Sequence, residues 1–314
     1  MQFRTEIYPS NCDLSLSHKD RIVFFGSCFT ENISNKFLRY RFPTTMNSHG
    51  IIFNPQSIAT ALNDCIDKRR YKESDLVMHS GKYCSVNHHG KFNNAVCADI
   101  LVSINDNIER THSELKQASV LFITFGSAYA YTDRESNEVV ANCHKIPQTQ
   151  FSKILLDHQS IEKTINNVFI RLINLNPTIQ IVLTVSPVRH WKDGVQENQL
   201  SKSHLIVACH NLASIFSNTV YFPSYELVMD DLRDYRFYEK DMLHPNSIAV
   251  DYIWGKLKHW CINTETLRLM EKMEPLIMLG EHRSISSIDE AAHKIKILEN
   301  ESKILDLITK QRIK

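Results

Sequence analysis

The chain has 314 residues, 43% of them hydrophobic and 23% charged, with only 8 glycines and 9 prolines. This composition excludes intrinsic disorder, collagen-like repeats and low-complexity sequence. Since 36 basic and 35 acidic residues give a formal charge of +1 at pH 7, no general electrostatic field attracts nucleic acid or anionic lipid. We therefore expect neither nucleic acid nor membrane as a partner.

The apolar runs, such as Val120 to Phe125 and Ile181 to Val185, are far shorter than the roughly 20 residues of a bilayer span. Charged residues such as Arg4, Glu6 and Asp13 interrupt the first twenty positions, where a signal peptide needs a continuous apolar segment. The eight cysteines are scattered, with no C-x-x-C pair. We expect a cytoplasmic protein with reduced thiols.

Apolar runs alternate with amphipathic helical patterns, as in parallel strands joined by crossover helices. Five runs predict strands, at Ile22 to Phe25, Pro43 to Met46, Val120 to Phe125, Ile179 to Val185 and Thr219 to Phe222. Continuous apolar runs are typical of a sheet covered on both faces. Right-handed crossovers then favour a three-layer α/β/α sandwich with a mostly parallel, about five-stranded sheet.

Helical patterns lie between these strands. A helix is expected from Thr30 to about Tyr40, and the apolar residues between Ile161 and Ile173 follow one helical face. Another stripe follows Asn54, a capping residue that precedes a proline. Further stripes follow Ser201 and Asn246. These helices would cover the two faces of the sheet.

Two segments depart from the alternation. Residues of about 71–107 lack clear helical periodicity, and we expect an insertion over the sheet edge. The tail contains an apolar stripe flanked by charges, formed by Ile297, Leu298, Ile304, Leu305 and Ile308. That helix needs a partner surface, either its own domain or a second copy in a homodimer. We predict a domain over residues 1–262 and a C-terminal helical extension over residues 263–314.

Gly26, Gly50 and Gly126 lie just beyond predicted strands, at the end of a parallel sheet where the ligand crevice forms. Ser27 follows the first of these glycines and precedes a predicted helix. A hydroxyl there faces N–H groups of the helix N-terminus, which can stabilise an oxyanion. Ser27 is therefore either a nucleophile or the cap of that helix.

A serine nucleophile needs a base, and the base needs an orienting group. Asp241 and His244 are three residues apart, so the carboxylate can fold back onto the imidazole. With 15 histidines in the chain, about one such pair is expected by chance. Its position favours function, because it follows the last strand and a loop there can return His244 to the crevice of Ser27.

Gly26-Ser27-Cys28-Phe29-Thr30 resembles the G-S-C-F-A signature of the GSCFA family, a branch similar to the SGNH (GDSL-like) hydrolases, with threonine for the last alanine. The resemblance covers roughly residues 15–260 and includes His49 to Pro55, Thr124 to Tyr129, Asn142 to Lys145, Ser186 to His190 and Asp241 to Asn246. It implies an SGNH-hydrolase or flavodoxin-like sandwich. It also implies Ser27 as nucleophile, with Asp241 and His244 completing a triad.

The oxyanion hole that the resemblance implies combines Ser27 with two further donors. A glycine of the second sequence block corresponds to Gly50. An asparagine of the third block is absent, because Ala128 stands at its place. Asn54, or the backbone at Gly126 and the residue after it, are the substitutes.

Arg189 and His190 follow the fourth predicted strand and could face the same crevice. Arg189 would suit a carboxylate or phosphate of the substrate through a two-pronged hydrogen bond. The alternative for Arg189 is an ion pair with Asp230, Asp231 or Asp234. His89, in the insertion, is either a wall of the substrate pocket or a solvated loop residue.

Other chemistries have less support. Cys28 adjoins Ser27 but should point in another direction, which disfavours a cysteine nucleophile. The spacing of Cys84, His88 and His89 matches no recognised metal motif. We expect neither a metal nor a cofactor.

The sequence thus predicts a serine esterase or deacylase for a small acylated substrate. Ser27 would attack the acyl carbonyl, His244 would transfer the proton, and Asp241 would orient the ring. An acyltransferase would use the same residues. The rivals from other classes are a non-catalytic binding protein on this fold and an interaction scaffold built on the C-terminal helix.

Overall fold

The structure, a computed structural model, describes residues 5–10, 12–281 and 290–313. The strands in these ranges are β1 (Ile22–Gly26), β2 (Thr44–Met46), β3 (Val77–His79), β4 (Lys82–Cys84), β5 (Val120–Phe125), β6 (Tyr129–Asp133), β7 (Val139–Val140), β8 (Phe151–Leu155), β9 (Gln180–Val185) and β10 (Thr219–Tyr221). The α-helices are α1 (Cys28–Arg39), α2 (Pro55–Asp67), α3 (Cys97–Leu115), α4 (His158–Leu175), α5 (Val195–Ile215), α6 (Ser224–Glu226), α7 (Ser247–Cys261), α8 (Thr264–Glu281) and α9 (Glu290–Ile313).

The central sheet has five strands in the order β10-β9-β5-β1-β2, and every neighbouring pair is parallel. These are the five strands predicted from the sequence, and each end agrees to within one residue. The chain proceeds from β1 to β2 on one side and from β5 to β9 and β10 on the other. The strand order therefore reverses between β1 and β5, where open parallel sheets bind their ligands beyond the carboxyl ends of the strands.

Helices cover both faces of this sheet, which confirms the three-layer α/β/α sandwich. Side chains alternate along β1, so that Ile22 and Phe24 belong to one core while Val23 and Phe25 belong to the other. Residues of α1, α7, α8 and α9 complete the first core. Residues of α2, α4 and α5 complete the second core. Every residue of β1 and β5 is buried, as expected for strands covered on both faces.

Local capping signals start two of the helices where the sequence predicted them. The Asn54 side chain accepts a hydrogen bond from the Ser57 N–H at 2.8 Å at the start of α2. Asn246 accepts one from the Ala249 N–H at 3.2 Å at the start of α7. Each cap of this kind typically contributes about 1 kcal/mol.

The insertion contains more regular structure than the sequence predicted. Strands β3 and β4 form an antiparallel hairpin, and α3 begins at Cys97, inside the stretch of 71–107 expected to lack helical periodicity. The expectation was wrong for residues 97–107, which form the first turns of α3. The buried face of α3 packs in a separate small core formed by Tyr71, Phe92, Ile100, Ile104 and Ile108. Ile100, Ile104 and Ile108 repeat every four positions, and the last of them lies beyond the boundary expected for the insertion.

A second sheet was also missed. Strands β6, β7 and β8 are antiparallel, in the order β7-β6-β8, and follow directly from the loop after β5. The Leu156 N–H donates to Ala128 O at 2.9 Å where this sheet meets the central one. The small sheet thus lies at the carboxyl edge of the central sheet.

The C-terminal extension packs on its own chain. Ile304 and Ile308 are buried in the same core as β1, and Arg41 forms an ion pair with Glu301. Leu298 and Leu305, from the same predicted stripe, are exposed. The extension thus shares a core with residues 1–262, and the homodimer through α9 stays a prediction.

None of the helices in residues 5–10, 12–281 and 290–313 is long and apolar enough to cross a bilayer. All eight cysteines lie in these ranges and are free thiols. Burial raises the pKa of the Cys65 thiol to about 12, so it stays protonated at neutral pH. The cytoplasmic location stays a prediction.

Candidate active site

Ser27 lies at the junction of β1 and α1, at the point where the strand order reverses. It occupies the N-cap position of α1 with extended backbone (φ −71°, ψ 178°). Its side chain makes no capping hydrogen bond. The buried Oγ has no hydrogen-bond partner within the described part of the chain. The hydroxyl therefore does not cap α1 in this structure, so the cap, one of the two roles that the sequence left open, is not observed.

Gly26 permits the turn that presents Ser27. Its φ is +145°, and a Cβ at this position would lie 2.3 Å from Thr124 O on β5, a distance that only glycine avoids. The Gly26 N–H donates to Asn47 Oδ1 at 2.9 Å. Because Asn47 follows β2, the ends of β2, β1 and β5 are held together around Ser27.

Gly126 brings the loops after β5 and β9 against Ser27. A Cβ on Gly126 would lie 3.4 Å from Ser27 Cβ, 3.5 Å from His190 Nε2 and 2.8 Å from Phe53 Cβ. The His190 ring stacks on that of Phe53, with 5.6 Å between the ring centroids. The structure therefore brings Ser27, Gly126 and His190 together, and a Cβ on Gly126 would clash with Phe53.

Asp241 and His244 form a hydrogen-bonded pair in the loop before α7. Asp241 Oδ2 accepts from His244 Nδ1 at 2.6 Å, and Oδ1 accepts from the N–H groups of Leu243 at 2.9 Å and His244 at 3.0 Å. The backbone N–H groups of His244 and Leu243, followed by the imidazole, lower the pKa of the Asp241 carboxyl to about 2. An imidazole that donates Nδ1–H to a carboxylate has Nε2 left to accept a proton.

The loop after β9 contacts both the Ser27 turn and the His244 loop. The Arg189 N–H donates to Leu243 O at 3.1 Å, next to His244. The following residue, His190, lies against Gly126 beside Ser27. The three members of the predicted triad therefore flank one short loop at the carboxyl edge of the sheet, although more than 200 positions separate Ser27 from Asp241 in sequence.

The other predicted oxyanion donors, apart from Ser27, already donate hydrogen bonds to other groups of the protein. The Gly50 N–H donates to Asn47 O at 2.8 Å, and the Gly126 N–H donates to Phe53 O at 2.8 Å. The Asn54 side chain is engaged in the cap of α2. An oxyanion role for Gly50, Gly126 or Asn54 would require each of them to change partner, and it stays a prediction.

His89 lies beside the loop after β2 and is half-buried. Its N–H donates to His49 O at 2.8 Å, and its ring accepts from the Lys91 N–H at 3.3 Å. A Cβ on Gly50 would lie 2.4 Å from the His89 Cβ. Burial lowers the pKa of the His89 imidazole, so its neutral form is favoured. The structure places His89 next to Gly50, and its role in binding substrate stays a prediction.

Cys28 shows no sign of an activated thiol. Burial raises the pKa of its thiol, even though the N–H of Phe29 acts in the opposite direction. A raised pKa disfavours the thiolate, which is the reactive form. Among the described residues, no group of three or more histidine, cysteine or acidic side chains is arranged to hold a metal ion.

Lys202 of α5 was not predicted from the sequence to belong to the site. Its side chain is fully buried, and Nζ donates to Gly126 O at 2.6 Å and to Ser186 O at 2.7 Å. Lys202 thereby ties together the ends of β5 and β9 next to Ser27. A signal existed in the sequence, because Lys202 lies three and seven residues before Leu205 and Cys209 on the buried stripe of α5.

The position of Lys202 predicts a pH-dependent stability. Burial, followed by the nearby Arg189 guanidinium, lowers the pKa of Lys202 to about 7. Below pH 7 this lysine is protonated in both the folded and unfolded states and contributes no pH dependence. Above pH 7 only the unfolded state keeps the proton, so rising pH favours the folded state.

Lys202→Met should remove this dependence. Between pH 7 and 9 we expect the unfolding free energy of wild type to gain up to about 2.7 kcal/mol relative to the variant, at 1.36 kcal/mol per pKa unit. Urea denaturation at each pH measures the difference. Lys163→Met, on the exposed face of α4, is the matched control and should track wild type. If the difference in unfolding free energy between wild type and Lys202→Met does not change with pH, the expectation is contradicted.

Comparison with known proteins assigns the chain to a family. Residues 21–257 match the sequence model of the GSCFA family. The chain belongs to the GSCFA family. This family match spans every strand of the central sheet and each member of the predicted triad. Comparison with curated proteins gives no match.

Two solved structures resemble this GSCFA protein at low identity. One, from Streptococcus pneumonia and provisionally described as a platelet activating factor, is 12% identical with a TM-score of 0.38, over 77% of this chain and 84% of that chain. The other, a carbohydrate esterase family 3 from Talaromyces cellulolyticus, is 8% identical with a TM-score of 0.35, over 81% of this chain and 99% of that chain. At these TM-scores neither likeness carries an argument about function.

Proposed function

We propose that this GSCFA protein is a serine hydrolase of the SGNH type, an esterase or deacylase that cleaves a small acylated molecule. Ser27 Oγ attacks the acyl carbonyl and forms an acyl-enzyme while the alcohol leaves. His244 Nε2 takes the serine proton and returns it to the leaving group, and Asp241 holds the ring. Water then releases the acyl group through the same residues. A second alcohol in place of water would make the reaction an acyl transfer.

The observation that carries this proposal is the state of the Ser27 hydroxyl. It is buried at the switch point of the sheet and has no hydrogen-bond partner in the described residues. A buried polar group without a partner typically costs about 1–3 kcal/mol, and such costs are retained at functional sites. The unpaired hydroxyl of Ser27 is thus better explained by a role in a reaction than by a structural role.

Charge at the site supports stabilisation of an oxyanion. Ser27 precedes α1, whose first N–H groups carry the positive end of the helix dipole. Lys202 adds a buried amine behind Gly126, which lies against Ser27. We propose the N–H groups at the start of α1 as the principal oxyanion donors.

One observation favours the alternative of a non-catalytic binding protein. The N–H groups of Gly50 and Gly126 are engaged in hydrogen bonds within the fold, so they offer no second set of oxyanion donors. A binding protein on this fold would keep the crevice and its affinity for ligand when Ser27 is changed, and it would show no turnover at all.

Covalent labelling tests the proposal. A fluorophosphonate probe should form one bond from Ser27 Oγ to phosphorus with release of fluoride, and peptide mass spectrometry should locate the adduct on Ser27. Cys28→Ala should still be labelled and should hydrolyse 4-nitrophenyl acetate within about threefold of wild type. A folded protein that neither reacts with the probe nor hydrolyses the ester would exclude the proposed function.

A further inference from the structure

A cavity lies beside the loop that holds His244. Its volume is about 230 Å³, and its walls include Arg189, Met229, Arg233, Asp234, Tyr238 and Met242. Met242 is two residues before His244, and Arg189 is bonded through its N–H to Leu243 O. The cavity therefore borders the Asp241–His244 loop, and Arg189 in its wall directly precedes His190, which lies against Gly126 beside Ser27.

The arginines in and around this cavity differ in whether they have a carboxylate partner. Asp234 pairs with Arg236 at 2.6 Å, and Arg233 pairs with Asp230 at 2.8 Å. Arg189 forms no ion pair with any carboxylate whose position the structure describes. The ion pair with Asp230, Asp231 or Asp234, which the sequence left open, does not form. Arg189 is therefore the one arginine of the cavity wall without a carboxylate partner in the described residues.

The Arg189 guanidinium is held by weak partners. One terminal nitrogen, Nη1, donates to the Met229 sulfur at 3.1 Å, and the guanidinium lies 5.9 Å from the Trp191 ring centroid. It also lies near the Tyr238 phenol, where its charge opposes the rise that burial causes in the pKa of that hydroxyl. Its buried Nε has no hydrogen-bond partner in the described chain. A thioether is a poor acceptor and a guanidinium fork matches two oxygens of an anion, so the geometry leaves this fork available to a ligand.

We infer that this cavity binds an anionic group of the substrate, a carboxylate or a phosphate, with Arg189 as the residue that recognises it. The inference rests on the proposed function, since the anion would belong to the alcohol half of the ester cleaved at Ser27. The buried amine of Lys202 lies near Arg189 and adds to the positive potential below pH 7, where it is protonated. Preferred substrates are therefore acylated alcohols or phenols that carry a negative charge.

A pair of matched esters tests the inference on wild type, without any variant. The two esters are 4-acetoxybenzoate and 4-acetoxybenzamide, which differ in charge and little in shape. We expect kcat/KM to be about 10- to 100-fold higher for the carboxylate, as charged hydrogen bonds require. The ester 4-acetoxyphenyl phosphate distinguishes a phosphate site from a carboxylate site. Equal rates for all three esters would overturn the inference.

Arg189→Gln should remove the preference. Its kcat/KM for the anionic ester should fall about 10- to 100-fold, while that for the neutral ester stays within about threefold. Arg189→Lys should restore only part of the preference, because an ammonium lacks the planar fork. Arg110→Gln is the control, since Arg110 is exposed on α3 and does not line the cavity. A loss of both activities in equal measure in Arg189→Gln would contradict recognition of the anion.

Binding separates this inference from the proposed function. Calorimetry should detect 4-hydroxybenzoate, and not 4-hydroxybenzamide, on wild type, and this binding should disappear in Arg189→Gln. If no ester is hydrolysed and this binding persists, the hydrolase proposal fails and the anion site stands. If esters are hydrolysed without preference for charge and the anion does not bind, the hydrolase stands and the anion site fails.

Discussion

Ser27→Ala should reduce ester hydrolysis by about 10⁵- to 10⁶-fold without a comparable loss of stability. The activity falls because the nucleophile is gone, and the residual rate reflects the remaining oxyanion donors and substrate binding. The stability is kept or rises, because the hydroxyl makes no capping bond, has no partner within the described chain and no longer has to be buried unpaired. A serine that capped α1 would cost about 1 kcal/mol on replacement by alanine.

Steady-state kinetics and thermal denaturation on the same preparations measure the two effects. Ser34→Ala is a matched control, since Ser34 is a buried hydroxyl of the same helix that donates to Glu31 O at 3.1 Å. The Ser34→Ala variant should hydrolyse the ester at the wild-type rate. Retained hydrolysis in Ser27→Ala would remove Ser27 from the mechanism. A stability loss like that of a broken cap would return Ser27 to a structural role.

His244→Ala should reduce kcat by about 10⁴- to 10⁶-fold, and Asp241→Asn by about 10⁴-fold. The asparagine Oδ1 can still accept the N–H groups of Leu243 and His244, which keeps the loop in place. Its amide would donate to Nδ1 and put the imidazole proton on Nε2. The ring could then no longer accept the serine proton, so activity is lost with the fold intact.

The pH profile adds a second readout. Because the backbone N–H groups of His244 and Leu243 hold the pKa of Asp241 at about 2, this carboxylate is ionised throughout the range from pH 4 to 9. The carboxylate of Asp241 thus contributes no acid limb to kcat/KM above pH 4. Its stabilising bonds are present above the ordinary aspartate pKa and are lost only as the pH falls towards 2.

A double variant tests whether Ser27 and His244 act as one unit. If they share a site, Ser27→Ala with His244→Ala should be no slower than Ser27→Ala alone, because residues of one catalytic unit are strongly non-additive. His259→Ala, on the exposed surface of α7, should leave the rate unchanged. Additive losses for Ser27 and His244 would mean that the two residues act separately.

Elements governed by local chemistry were predictable from the sequence. The five central strands are continuous buried runs, and Asn54 and Asn246 cap helices through bonds to residues three positions away. The spacing of Asp241 and His244 likewise confines their hydrogen bond to one loop. In each case the decisive contact lies within a few residues, so the pattern contains the physical cause.

Features that depend on distant contacts were missed or left open. The helix α3 buries its stripe against Tyr71 and Phe92 rather than against the main sheet. The antiparallel sheet of β6, β7 and β8 depends on pairing between Tyr129–Asp133 and Phe151–Leu155, with its register set across a loop. No local periodicity identifies either partner.

By itself the sequence determined the sandwich, the order of its strands along the chain, and the residues that could form a triad. Only the tertiary structure decided that the Ser27 hydroxyl is not a cap, that Lys202 bonds to the loops after β5 and β9, and that Arg189 lacks a carboxylate partner among the residues that the structure describes. The physical reason is that each of these states is set by which groups from remote segments come within about 3 Å. The folding of the sheet edge, rather than the spacing of residues, determines those distances.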